Sequence, residues 1–184
     1  VALITRAFLF FSYPSMMTGD DNVWISQETI LGLGYDVPDT FTAATPLGAA
    51  VADGFSGFDC ETIKAAIIGL IPGSMGETSV IAIGLGALIL LYTGVASWKT
   101  MLSVFVGGAA TGFLMQALGL TAIQWWEHLV LGGFAFGAVF MATDPVTAPQ
   151  TNKGKVIYGL LIGIFAVLIR VINPAYAEGM MLAI

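Results

Sequence analysis

The sequence predicts an all-α protein, a polytopic bundle of membrane helices with one long loop outside the membrane. Hydrophobic residues make up 57% of its 184 residues and charged residues only 10%, whereas soluble domains carry about 25% charged residues. So few charges cannot cover the surface of a water-soluble globule of this size. Several apolar stretches also approach the length of about 20 residues that a helix needs to cross the hydrocarbon core.

The apolar stretches define the predicted elements in order. Residues 1–17 are predicted to be the end of a transmembrane helix, residues 18–63 a long polar loop, and residues 64–184 a transmembrane bundle. Within the bundle we predict spans at about 79–98, 101–119, 128–143 and 156–172, and a truncated span from 179. Because the chain does not begin with Met and ends on an apolar run, we expect it to be part of a longer polytopic protein.

A short half-helix is predicted before the first complete span. Residues 65–71 are too few to cross a membrane, and Pro72 follows them. Ser74 and Glu77 have the spacing of a capping box, which satisfies free amides at a helix start. Two placements remain open: the half-helix dips partway into the membrane, as at transporter substrate sites, or it lies on the outer surface.

The positions of lysine predict the orientation of the chain. Loops that carry Lys and Arg stay on the cytoplasmic side of a bacterial membrane. Lys99 lies between the first two complete spans, and Lys153 and Lys155 lie between the last two, which places these loops on one side. Residues 18–63 fall on the opposite side and hold eight acidic residues and no basic one. We therefore predict a multi-pass protein of the bacterial inner membrane with residues 18–63 in the periplasm.

Charge and rare residues exclude several classes of function. The net charge of −6 argues against a nucleic-acid partner, which requires a basic surface. With one cysteine, Cys60, and one histidine, His128, the chain lacks the ligands for a zinc or iron–sulfur site of its own.

Glycine spacing indicates closely packed helices. Small residues four positions apart let helix backbones approach one another in a membrane. Such pairs occur at Gly108 and Gly112, Gly133 and Gly137, and Gly159 and Gly163. The alternative is chance, because the chain contains 23 glycines.

Two related heptapeptides stand in the acidic loop. The first, D-T-F-T-A-A-T at 39–45, resembles the flavinylation motif D-x-x-[S/T]-[G/A]-A-T, whose last Thr carries FMN through a phosphoester bond. The resemblance implies that Thr45 carries FMN and that Asp39, Thr42 and Ala44 belong to the sequence an FMN transferase recognises on the outer face of the membrane. The second, D-G-F-S-G-F-D at 53–59, ends in Asp59, which has no hydroxyl to esterify.

The residue after Thr45 supports this interpretation. Pro46 biases Thr45 toward an extended conformation, which presents the hydroxyl to a modifying enzyme. The alternative is an ordinary turn threonine.

Longer stretches resemble one family, the B subunit of the sodium-translocating NADH:quinone oxidoreductase. They are R-A-F-L-F-F-S-Y-P (6–14), I-P-G-S-M-G-E (71–77), H-L-V-L-G-G-F-A-F-G (128–137), F-M-A-T-D-P-V (140–146), T-N-K-G-K (151–155) and L-I-R-V-I-N-P-A-Y-A-E-G-M-M-L-A-I (168–184). The related RnfD protein of Rnf complexes shares part of this set, but the opening R-A-F-L-F-F and the N-P-A-Y favour the former. Thr42-Ala43 departs from the Ser-Gly that is usual in the motif.

The resemblance implies a fold, an activity and partners. The fold resembles urea and ammonium transporters with two inverted repeats, of which this chain is the second half. The implied function is that of a translocase: a subunit of a redox-driven sodium pump that relays electrons through FMN from NADH toward ubiquinone and forms part of the Na⁺ pathway. The implied partners are the other subunits of the Nqr-type complex, the FMN transferase, ubiquinone and the lipid bilayer. Riboflavin and ubiquinone would bind the half that this chain lacks.

Two other functions remain open. The first is that of RnfD in an Rnf ferredoxin:NAD oxidoreductase complex. The second is a channel of the urea or ammonium transporter type without a redox role.

A candidate sodium pathway lies on the third span. Phe136, Phe140 and Asp144 are spaced four apart, so on a helix they share one face. An apolar constriction beside a carboxylate can act as a gate with an ion-attracting mouth, and the resemblance favours a Na⁺ role for Asp144. In the alternative, the rings pack or face lipid and Asp144 caps the helix end before Pro145.

Arg170 is an unusual charge near the outer end of an apolar span. Its side chain either extends to the headgroups, or pairs with an acidic group such as Glu178 or with a flavin phosphate. The neighbouring outer boundary carries Glu127 and His128, which we predict to be interfacial.

Overall fold

A computed structural model describes residues 2–13, 60–69, 76, 78–121, 123–130, 133–172 and 179–184. Within these residues every regular element is a helix, as predicted. The helices are α1 (Ala2–Ser12), α2 (Cys60–Ile68), α3 (Val80–Tyr92), α4 (Trp98–Ala117), α5 (Glu127–Val130), α6 (Phe134–Phe136), the π-helix π1 (Gly137–Met141), α7 (Asn152–Ile172) and α8 (Met180–Ala183).

Two of the described helices, α4 and α7, are long and apolar enough to cross a membrane, with 20 and 21 residues. The shorter helix α3 is also apolar. Its outer face leaves Leu85, Leu88 and Ile89 about 60% exposed. Soluble monomers rarely leave contiguous apolar surface of this kind in water, so the exterior of the bundle suits a lipid environment.

Helices α4 and α7 pack backbone to backbone and run in the same direction. A Cβ on Gly159 would lie 2.8 Å from the carbonyl oxygen of Thr100. One turn further along both helices, a Cβ on Gly163 would overlap the Val104 carbonyl oxygen and lie 2.6 Å from the Gly108 nitrogen. The close packing predicted for Gly159 and Gly163 is therefore confirmed.

Other glycines of the predicted pairs make room for different neighbours. A Cβ on Gly108 would lie 2.5 Å from the Phe134 ring, and one on Gly112 would lie 3.1 Å from the Cα of Trp125. On this side of α4, Gly108 therefore makes room for Phe134 and Gly112 for Trp125.

The segment α6–π1 lies at the centre of the bundle. One face, with Phe134 and Ala138, packs in a buried cluster with Val104 of α4 and residues of α7 and α8. The opposite face, with Ala135 and Val139, packs against α3 and the start of α4. Both faces of α6–π1 are therefore covered by other helices.

The region predicted as a span at 128–143 contains several short elements. Helix α5 has four residues, Gly133 lies in a turn, α6 has three residues and π1 has five. The wider turn is visible where the Ala142 amide donates to the Gly137 carbonyl, five residues back, at 2.8 Å. Glycine has low helix propensity, which accounts for the turn at Gly133.

The end of the short helix α2 lies in space next to the start of α3. It starts at Cys60, inside the loop predicted at 18–63, and is followed by Gly69 with φ +104°. A Cβ on Gly69 would lie 2.7 Å from the Cβ of Ser79. The Ser79 hydroxyl accepts a hydrogen bond from the Ala82 amide at 3.3 Å and caps α3. The predicted capping box at residues 74 and 77 lies outside the described residues.

Candidate functional site

The flavinylation motif lies outside the part of the chain that the structure describes. This applies to Thr45, Asp39, Thr42 and Ala44, and also to Asp59 of the second heptapeptide. The FMN attachment therefore stays a prediction from the sequence.

Phe136 and Phe140 form an aromatic pair. Their ring centroids are 5.0 Å apart and the rings are tilted by 44°. Phe136 lies at the end of α6 and Phe140 in π1, so the change of helix type leaves the two rings in contact. The spacing of four residues thus brings these side chains together.

The aromatic pair packs against α3 and the turn before it. A Cβ on Gly86 would lie 2.6 Å from the tip of the Phe140 ring, and one on Gly76 would lie 3.6 Å from the Phe136 ring. The Phe140 ring therefore occupies space that exists because residue 86 has no side chain. Sequence reasoning did not single out Gly86, although a glycine in an apolar stretch can mark a close approach.

Asp144 is half-buried and organises the turn that follows π1. One carboxylate oxygen accepts from the Val146 amide at 3.3 Å, and the other accepts from the Thr147 hydroxyl at 3.2 Å. Its carbonyl also accepts from the Ala148 amide at 2.9 Å. Among the described residues no group of three or more His, Cys, Asp or Glu side chains is placed to hold a metal ion. The described hydrogen bonds of the Asp144 carboxylate are thus with a backbone amide and a hydroxyl.

Arg170 lies inside the bundle. Its side chain is 1% exposed, and its Nη1 donates to the carbonyl oxygen of His128 at 2.8 Å. The alternative in which Arg170 reaches the lipid headgroups is therefore wrong. A guanidinium in a low-dielectric interior is tolerated when polar groups surround it, and the His128 carbonyl in α5 supplies one of them. The other predicted partner, at residue 178, lies outside the described residues.

Glu127 and His128 are also buried, 3% and 0% exposed. Oε2 of Glu127 accepts from the Gln124 amide at 2.8 Å and so closes the turn before α5. Within the described residues neither ring nitrogen of His128 has a hydrogen-bond partner. Both side chains are thus enclosed by protein, and the His128 ring lies against Gly112 of α4, where a Cβ would come within 3.4 Å of it. The position of this pair at the membrane interface stays a prediction.

The described residues form only helices, two of them long and apolar enough to span a membrane, around a short central segment that carries an aromatic pair and a carboxylate. Over residues 1–184 the chain matches the NQR2, RnfD, RnfE family, and it belongs to that family.

Curated relatives in this family are Na(+)-translocating NADH-quinone reductase subunits B. The chain is 49% identical over 189 residues to that of Chromohalobacter salexigens, 47% over 190 residues to that of Pseudomonas aeruginosa and 46% over 195 residues to that of Klebsiella pneumoniae. Each alignment covers 100% of this chain and 43% or 44% of the relative. The chain thus spans less than half the length of the curated relatives it matches.

Proposed function

We propose that this chain belongs to the membrane subunit of a redox-driven sodium pump. In this proposal it carries FMN covalently on Thr45, relays electrons from NADH toward ubiquinone and forms part of the Na⁺ pathway. The observation that carries the proposal is the match along the whole chain to reductase subunits B at 46–49% identity. Sodium translocation and NADH-quinone reduction are the activities stated in the names of those relatives.

The residues at the attachment sequence fit an FMN phosphoester chemically. Thr45 offers a hydroxyl at the last position of the motif, and Asp59 at the same position of the second heptapeptide does not. When bound, FMN supplies reversible electron transfer, while the protein supplies position and electrostatics. The tether at Thr45 keeps the group at one place in the relay, and Pro46 favours an extended backbone there.

The sodium role rests on the aromatic pair and Asp144. Phe136 and Phe140 present touching apolar rings beside α3, and such constrictions can gate an ion path. Asp144 is held by hydrogen bonds to both carboxylate oxygens, and an oriented carboxylate is a hard oxygen ligand that suits a small cation. We propose that Asp144 attracts Na⁺ at the mouth of the pathway.

The remaining partners follow from the relatives' names and the attachment sequence. We propose that the chain assembles with the other subunits of an Nqr-type complex and is modified by an FMN transferase. Ubiquinone, and a riboflavin, would bind parts of the subunit that correspond to the uncovered share of the relatives.

Intact mass of the subunit, co-expressed with an FMN transferase, tests the proposal directly. We expect the added mass of one FMN less one water, lost in Thr45→Ala. Thr45→Ser should keep it, because the hydroxyl remains, and Ser56→Ala in the second heptapeptide should keep it as well. An unmodified wild-type subunit would instead favour a channel without redox chemistry.

The family includes RnfD as well as NQR2, and the electron acceptor separates the two. Reduction of quinone by NADH, stimulated by Na⁺, supports the pump. Exchange of electrons between ferredoxin and NAD by the purified complex would identify the Rnf function instead.

A further inference from the structure

A groove of about 700 Å³ runs between the first halves of α4 and α7. Its volume lies in the range of about 300–1,000 Å³ that holds small organic molecules. Its lining includes Leu102 and Val106 of α4, Ile157 of α7, and Lys99, Lys153 and Trp98 at one end. Neither ring of the aromatic pair lines the groove.

The walls of the groove are apolar and uncovered in the described part of the chain. Leu102, Val106 and Ile157 are 57%, 50% and 59% exposed. They lie on the two helices that are long enough to span a membrane. Because α4 and α7 are parallel, their walls extend side by side from one membrane boundary toward the hydrocarbon core.

The polar groups of the groove gather at one end. Lys99 and Lys153 line it at the starts of α4 and α7, and the lining includes no acidic residue. Trp98 is 59% exposed beside them, and the Lys99 Nζ lies 5.9 Å from the centroid of its ring. Tryptophan and lysine at the end of a membrane helix mark the level of the lipid headgroups. The groove therefore offers two positive charges at headgroup depth and an apolar channel below them.

We propose that this groove binds an anionic phospholipid, with the phosphate between Lys99 and Lys153 and an acyl chain along Leu102, Val106 and Ile157. Basic pockets between membrane helices bind the headgroups of acidic lipids because the lysines compensate the phosphate charge. A neutral quinone would fill the apolar walls but leave both lysines without a counter-charge. This proposal goes beyond the redox and sodium functions, since it involves neither the flavin nor Asp144.

Native mass spectrometry of the purified complex, titrated with phosphatidylglycerol or phosphatidylcholine, tests the charge match. We expect selective retention of phosphatidylglycerol and about thirtyfold weaker retention in the double variant Lys99→Gln, Lys153→Gln. Lys155→Gln is the matched control, because it removes the same charge from the same loop without lining the groove. Equal retention of the two lipids, or an unchanged affinity in the double variant, would overturn the proposal.

A second pair of variants tests the apolar walls. Val106→Trp should fill the groove and displace the lipid while both lysines remain. Leu114→Trp changes an exposed residue of the same helix outside the groove and should leave retention unchanged. Lipid loss in both tryptophan variants, or in neither, contradicts binding in the groove. The FMN mass, read in the same spectra, reports on Thr45 separately, so failure of one proposal is distinguished from failure of the other.

Discussion

At residue 86 the absence of a side chain determines where the Phe140 ring lies. A Cβ there would come within 2.6 Å of the ring tip, so Gly86→Ala should push the ring away. Because the tip of a side chain can move, we expect little loss of stability. If the proposed Na⁺ pathway passes this ring, a displacement of this size should lower the transport rate by about tenfold to a hundredfold. Sodium uptake by proteoliposomes measures the effect.

The neighbouring Gly84 provides the control for Gly86→Ala. A Cβ on Gly84 would meet no atom within 4 Å, and alanine stabilises a helix interior by about 0.5–1 kcal/mol relative to glycine. Gly84→Ala should therefore transport sodium like the wild type. Equal transport by the two variants would show that the position of the Phe140 ring does not limit ion flow.

Asp144 combines a charge with a structural role, and two variants separate them. Asp144→Asn keeps an acceptor for the turn but removes the charge, so we expect the Na⁺ concentration for half-maximal activity to rise about tenfold. Thr147→Ala removes one hydrogen bond to the carboxylate and keeps the charge. Activity measured against Na⁺ concentration checks both. If Thr147→Ala causes the same rise, the carboxylate acts through the turn and not on the ion.

The sequence predicted some contacts of the candidate site and missed others. The spacing of Phe136 and Phe140 was sufficient to predict that their rings come together, because residues four apart remain neighbours on a helical turn. The partner of Arg170 was not predictable, since His128 lies 42 residues away and offers a backbone carbonyl. Every residue type has a backbone carbonyl, so the sequence does not show which one will accept a hydrogen bond.

At the scale of elements, α4 and α7 depend on contact between their backbones. Gly163→Ala would drive a Cβ into the Val104 carbonyl and the Gly108 nitrogen, and backbone atoms cannot turn aside. We expect a loss of about 1–3 kcal/mol in the free energy of unfolding, visible as a lower thermal midpoint in detergent. Gly84→Ala is again the control, and an unchanged midpoint in Gly163→Ala would show that the helices separate at little cost.

Apolar length predicted the long helices better than the central segment. Spans expected at 101–119 and 156–172 correspond to α4 and α7, which begin a few residues earlier. Hydropathy reports how much of a stretch is apolar and carries no information on whether each turn closes as an α-helix or a π-helix. That explains why the turn at Gly133 and the helix π1 were not anticipated.

At the scale of the whole molecule, the predicted topology can be tested because α4 and α7 run in the same direction, so the end of α4 and the start of α7 should lie on opposite sides of the membrane. Cys60 is the only cysteine in this sequence, so Cys60→Ala, with any cysteine in the rest of the subunit also replaced, gives a background for single cysteines. Leu120→Cys follows the end of α4, and Gln150→Cys precedes α7; both positions are exposed. We expect a membrane-impermeant thiol reagent to label the first from the periplasm and the second only from the cytoplasm. Labelling of both from one side would refute the predicted orientation, and labelling of both after solubilisation is the control.

The glycine that contacts a side chain, Gly86, and the glycine that contacts backbone, Gly163, should differ in which second mutations can compensate for their replacement. The clash created at Gly86 falls on a side chain, so a second mutation that shortens Phe140 can relieve it. The clash created at Gly163 falls on main-chain atoms of Val104 and Gly108, which no substitution can shrink. Suppressors of Gly86→Ala can therefore arise at a second position, whereas revertants of Gly163→Ala must restore the glycine itself.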